Sequence, residues 1–269
     1  MPADIFYRRD AALSQVSSTT EQTSENTISV NDGVTKEEGN NESHSMIGVG
    51  QQDDNAKDGA IVSKKESDAF KLAAEQGNAS AQYHLGECYG NGAGVTKDEK
   101  EAARYYKLAA DQNHAGAQHA LGKCYANGTG LSKYEREAVR YFKLAADQGH
   151  AGAQFALGVC YGNATGLTLD AKEAVRYFKL AVDQGNADAQ HALGFCYAKG
   201  FGVSKDEKEA VRYYNLAADQ NHAGAQYKLG ECCVKGEGVP KNKFQAAKWY
   251  MLAANQDHKE AIAKFNWLN

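Results

Sequence analysis

Residues 79–114 read ASAQYHLGECYGNGAGVTKDEKEAARYYKLAADQNH, and the chain says this five times. The opening Ala-x-Ala-Gln returns at Ala115–Gln118, Ala151–Gln154, Ala187–Gln190 and Ala223–Gln226, always 36 residues on and without insertion. Cysteine keeps the step at Cys88, Cys124, Cys160, Cys196 and Cys232, and glutamine at Gln76, Gln112, Gln148, Gln184, Gln220 and Gln256. A fixed period of about 20–50 residues is the signature of a stacked-repeat architecture. The units are 79–114, 115–150, 151–186, 187–222 and 223–258, with a leading half-unit at about 62–78 and a trailing cap at 259–269.

Each unit reads as two helices. Ala81, Leu85, Cys88 and Tyr89 fall at i, i+4, i+7 and i+8, and Ala102, Tyr105, Tyr106 and Ala109 at i, i+3, i+4 and i+7. Neither strand alternation nor proline interrupts them, so an all-α fold is expected. After each second helix comes Gly77, Asn113, Gly149, Gly185, Asn221 or Asp257, types that tolerate a left-handed backbone. The longer loop carries Gly92/Gly94, Gly128/Gly130, Gly200/Gly202 and Gly236/Gly238, whereas unit three has Ala164 before Gly166. Asp98-x-x-Glu101, Asp170-x-x-Glu173, Asp206-x-x-Glu209 and Asn242-x-x-Gln245 read as capping boxes. Unit two has Tyr134 there, with Ser132-x-x-Glu135 as an alternative start.

A lone helical pair is apolar on too many sides; stacked pairs bury those faces against neighbours. Leu85, Leu121, Leu157, Leu193 and Leu229 should make one continuous core row. Tyr105, Tyr141, Tyr177, Tyr213 and Trp249 make an aromatic row, backed by Tyr106, Phe142, Phe178, Tyr214 and Tyr250. Gly86, Gly122, Gly158, Gly194 and Gly230 sit inside the first helix, where glycine costs about 1 kcal/mol against alanine. That recurring cost implies a neighbouring helix too close for a Cβ.

The pattern Ala-x-Ala-Gln-x-x-Leu-Gly-x-Cys-Tyr-x-x-Gly-x-Gly-Val, then Glu-Ala-x-x-Tyr-Tyr-x-Leu-Ala-Ala-x-Gln-Gly, resembles the Sel1-like repeat over about 62–269. The related tetratricopeptide repeat has a period of about 34 residues and lacks the Gly-x-Gly-Val loop. The resemblance implies a right-handed superhelical α/α solenoid of helix-turn-helix repeats, acting as a scaffold or adaptor. Members of that family work in signalling, in ER-associated degradation, in activating fungal chitin synthase, or as secreted cysteine-rich bacterial proteins. The last kind typically has two disulfide-bonded cysteines per unit; this chain departs from it with one.

Charge divides the 269 residues unevenly. Residues 1–60 hold 4 Lys/Arg against 11 Asp/Glu, and residues 61–269 hold 26 against 23. The first segment, rich in Ser, Thr, Asn, Gln and Glu, cannot bury enough surface to order itself and is expected to be a disordered acidic arm. A net charge of -4 excludes a strongly basic nucleic-acid binder. No apolar run reaches membrane-spanning length, and the start lacks a signal-peptide core.

The chemical candidates reduce to packing. Stacked helices lie roughly 8–10 Å apart, whereas a disulfide needs Cα atoms within about 7 Å. The cysteine column should therefore hold buried, reduced thiols, which fits a cytoplasmic protein. Cys233, standing where other units have tyrosine, is the one candidate for a reactive thiol. His114, His150, His222 and His258 share a turn position with Asn78 and Asn186, so helix-entry or turn roles are expected. A column at repeat spacing cannot converge on a metal ion. His119 and His191 share the position of Tyr83, Phe155 and Tyr227 and should be surface-groove or partly packed residues. Gly92-Ala-Gly94-Val-Thr-Lys97 lacks the spacing of a phosphate loop. No catalytic residue, metal or cofactor is expected, and the chain reads as a non-enzyme. The second helix carries a basic stripe (Lys100, Arg104, Lys107 and their copies), with Glu101 and its copies three residues before each arginine. That reads as a solvated outer face.

What remains is an interaction scaffold. By analogy with other solenoids the first helices should line the concave side. There the column Glu87, Lys123, Val159, Phe195 and Glu231 varies most, beside His84, Ala120, Ala156, Ala192 and Lys228. Val159 and Phe195 would form an apolar centre, and His84, Glu87, Lys123, Lys228 and Glu231 charged surroundings, for a partner peptide or helix. The alternative is a regulatory subunit or tail of an enzyme, of the kinase-signalling or chitin-synthase-activating type.

Overall fold

The computed structural model describes residues 63–268; the acidic arm expected over 1–60 lies outside them. The described residues form twelve helices and no strand. These are α1 (Lys64–Glu75), α2 (Ala79–Asn91), α3 (Glu99–Asp111), α4 (Ala115–Asn127), α5 (Glu135–Asp147) and α6 (Ala151–Asn163). They continue with α7 (Ala171–Asp183), α8 (Ala187–Lys199), α9 (Glu207–Asp219), α10 (Ala223–Lys235), α11 (Lys243–Ala254) and α12 (Lys259–Leu268). Every 36-residue unit is one antiparallel hairpin, from α2/α3 to α10/α11, stacked on the next in a solenoid.

Local chemistry fixes where each helix begins. Asn78 and Asn186 accept through Oδ1 from the Ala81 and Ala189 amides at 2.9 and 2.8 Å. In the other units His114, His150 and His222 do the same through Nδ1, at 3.1, 3.2 and 3.1 Å from Ala117, Ala153 and Ala225. Asparagine and histidine interchange because each offers an acceptor at the same reach. Asp98, Asp170 and Asp206 each accept two amides at the start of α3, α7 and α9. The reciprocal half of the expected capping box is absent there: Glu101, Glu173 and Glu209 turn instead to Arg104, Arg176 and Arg212 at 2.8, 2.9 and 3.0 Å. An arginine one turn on competes better than a backbone amide for a carboxylate. α5 starts from Tyr134 with no side-chain cap, so Ser132 does not take that role.

The helix ends follow the backbone chemistry. Gly77, Gly149 and Gly185 are left-handed, as are Asn113, Asn221 and Asp257 at φ 64°, 61° and 59°. Ala164 adopts φ 57° where its counterparts are glycine. The second loop glycine has a different reason. A Cβ on Gly166 would lie 2.6 Å from the Glu135 carbonyl oxygen at the start of the preceding unit's second helix. Gly130, Gly202 and Gly238 face Glu99, Ala171 and Glu207 in the same way, so this glycine sets how closely repeats stack.

The leucine row is completely buried at Leu85, Leu121, Leu157 and Leu193. The core is segmented rather than continuous, its clusters formed where the second helix of one unit meets the first helix of the next; partly buried Tyr125 and Tyr197 each touch two clusters. The glycine column marks the close approach of the second helix, whose aromatic rings come nearest and whose backbone carbonyls at Ala102, Ala138, Ala174 and Ala210 follow at 3.1 to 3.3 Å from an added Cβ. A Cβ on Gly86 or Gly194 would meet the ring of Tyr106 or Tyr214 at 2.6 Å, and Gly122, Gly158 and Gly230 face Phe142, Phe178 and Tyr250. A glutamine network crosses the stack: Gln82 accepts from Gln112 at 2.7 Å while donating to the Ala74 carbonyl of the preceding helix at 3.1 Å. The Gln–Gln bond recurs in all five units. After the last unit α12 packs against α11 and buries Ala261.

Candidate functional site

Once packing has claimed its columns, one stripe of each first helix is left toward solvent. In α2 it is Ser80, His84, Glu87 and Asn91, at helical spacing i, i+4, i+7 and i+11. The corresponding positions are small in the middle of the array (Gly116, Ala120, Gly152, Ala156, Ala192) and charged at its end (Lys228, Glu231, Lys235).

The seven residues expected there are on it, with different surroundings. His84 is exposed, and Glu87, Lys123, Val159, Phe195, Lys228 and Glu231 are partly buried. Glu87 accepts from the Tyr83 hydroxyl at 2.8 Å and lies 3.0 Å from His84 Nδ1. Glu231 binds Lys228 at 2.8 Å and Lys235 at 3.6 Å. Burial pushes its carboxyl up, but these two ammonium groups outweigh that and hold it below the usual carboxylate range. Both terminal acids are therefore bonded within their own helices, and Glu231 is neutralised there by two lysines. Val159 and Phe195 both lie against the cluster of Phe155, Phe178 and Leu193, presenting only part of each side chain to solvent.

Behind the stripe runs an aromatic ladder that the sequence reading underestimated. Tyr83, His119, His191 and Tyr227 lie against His114, His150, His222 and His258 at the last position of the same unit, where the next first helix begins, with ring centroids 4.7 to 4.9 Å apart. His119 is buried, not a groove residue, and His191 is partly buried. Burial pushes both imidazoles well below their ordinary pKa, helped by the neighbouring His150 and His222. In the fourth unit Asp188, where three other units have glycine, sits 3.1 Å from His222 Nε2 and links α8 to the residue that caps the start of α10.

The outer face is built from ion pairs over rings. Arg104, Arg140 and Arg176 each lie 4.1 Å above Tyr105, Tyr141 and Tyr177 while bonded to the glutamate one turn before. Those tyrosines stack in turn on Tyr89, Tyr125 and Tyr161 at 5.7 Å. The basic stripe is in this way tied down by its own helix.

The six cysteines are free and buried, Cys233 included. Burial pushes Cys160 and Cys196 up to about 12 and Cys124 and Cys232 up to about 11. Such thiols are poor nucleophiles and behave as small apolar groups. Among the described residues no three His, Cys, Asp or Glu side chains gather as a metal-binding group. No described helix is long and apolar enough to cross a membrane.

Comparison with known proteins agrees with this geometry. The Sel1 repeat matches residues 79–114, 115–150, 151–186, 187–222 and 223–258. A Sel1 repeat protein from Oxalobacter formigenes is 33% identical, with a TM-score of 0.71 over 75% of this chain and 80% of its own. The c5321 protein, a protective antigen of uropathogenic Escherichia coli strains with the same repeat fold, is 32% identical with a TM-score of 0.67. That match covers 76% of this chain but 44% of c5321. A putative Sel1 repeat protein from Klebsiella pneumoniae shares the fold at 21% identity and a TM-score of 0.52, over 75% of this chain and 98% of its own. Comparison with curated proteins returned no match.

Proposed function

Since the chain belongs to the Sel1 repeat family, whose members generally mediate protein–protein interaction, we propose that it is a non-catalytic scaffold. It would hold a partner peptide or helix on the concave stripe of its first helices. One observation carries this reading: the leucine, glycine and cysteine columns that pack in the first helices are alike in all five units, whereas the column beside them is not. Leu85 and Gly86 recur unchanged, but two positions on, Glu87 becomes Lys123, Val159, Phe195 and Glu231.

The centre of the stripe, Val159 and Phe195 among Ala156 and Ala192, offers an apolar seat in which a partner gains by desolvation. The hydrogen-bonded His84/Glu87 pair and the Lys228/Glu231 ion pair make a polar rim, and Lys123 lies between. Affinity capture with the double variant Val159→Lys/Phe195→Lys tests this. Lysine already occupies that column at Lys123, so the variant should keep its melting temperature. It should recover at least about tenfold less partner than the wild type, a loss of about 1.4 kcal/mol. Equal recovery, or a fall in melting temperature matching that of a core variant, would refute the assignment.

A further inference from the structure

The fifth hairpin breaks the charge pattern of the outer face. α3, α5, α7 and α9 all carry acidic residues, and their arginines are bonded to glutamates one turn before. α11, whose sequence is KFQAAKWYMLAA, contains no acidic residue. Gln245 stands where Glu101, Glu137, Glu173 and Glu209 stand, so Lys248 has no carboxylate in the arginine-pairing position. Its ammonium lies instead 4.9 Å from the Phe244 ring.

Two apolar exchanges accompany the loss of acid. Phe244 occupies the position of Lys100, Arg136, Lys172 and Lys208 and is 73% exposed. Met251 occupies that of Lys107, Lys143, Lys179 and Asn215 and is 42% exposed. Leu252, also exposed, belongs to a leucine column present in every unit, so Phe244 and Met251 are the departures. Residues 244, 248, 251 and 252 follow i, i+4, i+7 and i+8, a single helix face. Nothing in the hairpin's own packing calls for an exposed phenylalanine where four other units use a cation.

We propose that this face of α11 is a second docking surface, and that its occupant is an acidic amphipathic helix of another protein. The occupant's apolar side chains would seat on Phe244, Met251 and Leu252, and its carboxylates would meet Lys243 and Lys248. Charge complementarity selects the occupant, because α11 offers two cations and no anion. An anionic lipid surface would meet the same cations, and the vesicle arm of the test below separates it from a helix. The surface is separate from the first-helix stripe, so the two can be occupied independently.

Fluorescence anisotropy with synthetic amphipathic peptides tests this. One peptide pairs a leucine face with glutamates, and its counterpart replaces every glutamate by lysine. The acidic peptide should bind at least about tenfold more tightly, and more weakly as salt rises. Phe244→Gln/Met251→Asn, which removes both apolar contacts without adding charge (Asn215 already occupies the second column), should fold and lose that binding. Val159→Lys/Phe195→Lys should retain it, which separates this surface from the scaffold reading. Equal binding of both peptides, or undiminished binding by the Phe244/Met251 variant, would overturn the proposal. So would sedimentation with phosphatidylserine vesicles, or self-association of the free protein, if the same two substitutions abolished it.

Discussion

Within one first helix, two columns of residues two positions apart behave in opposite ways. Leu85, Leu121, Leu157, Leu193 and Leu229 are identical and sealed from water. Glu87, Lys123, Val159, Phe195 and Glu231 differ in charge, size and polarity, though every backbone around them is the same. In a repeat array each unit is a control for the others. Positions held constant answer to packing, because each unit must bury the same flank against its neighbour. Positions free of that demand are where a protein can acquire a partner without changing its fold.

The contrast can be broken most forcefully from the constant side. Phe178→Ala empties the space that Gly158 leaves open, and should cost about 3–5 kcal/mol in chemical unfolding. Gly158→Ala addresses the same contact from the other side: its Cβ would run into the Phe178 ring, costing about 1–3 kcal/mol through overpacking. If both variants melted like the wild type, the columns would not be packing columns.

Smaller effects come from the two places where a unit departs from its siblings without an evident partner. Tyr134→Asp supplies the cap that α5 lacks and should stabilise by about 1 kcal/mol. Ala164→Gly relieves an alanine held at φ 57° and should stabilise by about 0.5–1 kcal/mol, part of the relief being offset by the added freedom of the unfolded chain. Thermal unfolding distinguishes both from no change.

Acid should act on the histidine ladder. His119 and His191 are held neutral by burial in the folded chain, so on acidification the unfolded chain takes up protons first. Stability is therefore complete above about pH 6.5 and declines as pH falls below it. Melting temperatures at about pH 7.5 and pH 5.5 should differ, and less so in His119→Phe/His191→Phe, since Phe155 already occupies that column. A melting temperature independent of pH in this range would contradict the burial of these rings.

Much of this architecture is legible in the sequence because period, turn residues and apolar stripes point the same way. The left-handed positions after each second helix and the leucine row are examples. What the sequence reading gets wrong is local competition between side chains. Glu101 has two partners within reach, the cap amide and Arg104, and spacing alone does not reveal the stronger. The column containing His119 also holds tyrosine and phenylalanine, residues that populate both cores and surfaces, so only the tertiary contact with His150 shows which it is. The glycine column announces a close approach but not that an aromatic ring makes it. For the variable stripe, the sequence singles out the positions but not that Glu87 and Glu231 are already bonded within their helices. The α11 face is visible in the sequence too, to a column comparison extended from the first helices to the second.

The most direct test compares two neighbours in one helix, Leu157→Ala and Val159→Lys, by guanidinium-induced unfolding. The first should lower stability by about 2–5 kcal/mol and the second by less than about 1 kcal/mol, the lysine stem lying along apolar surface with its charge in water. Comparable losses from both would mean that the variable stripe is core, and the division between packing and binding columns would not stand.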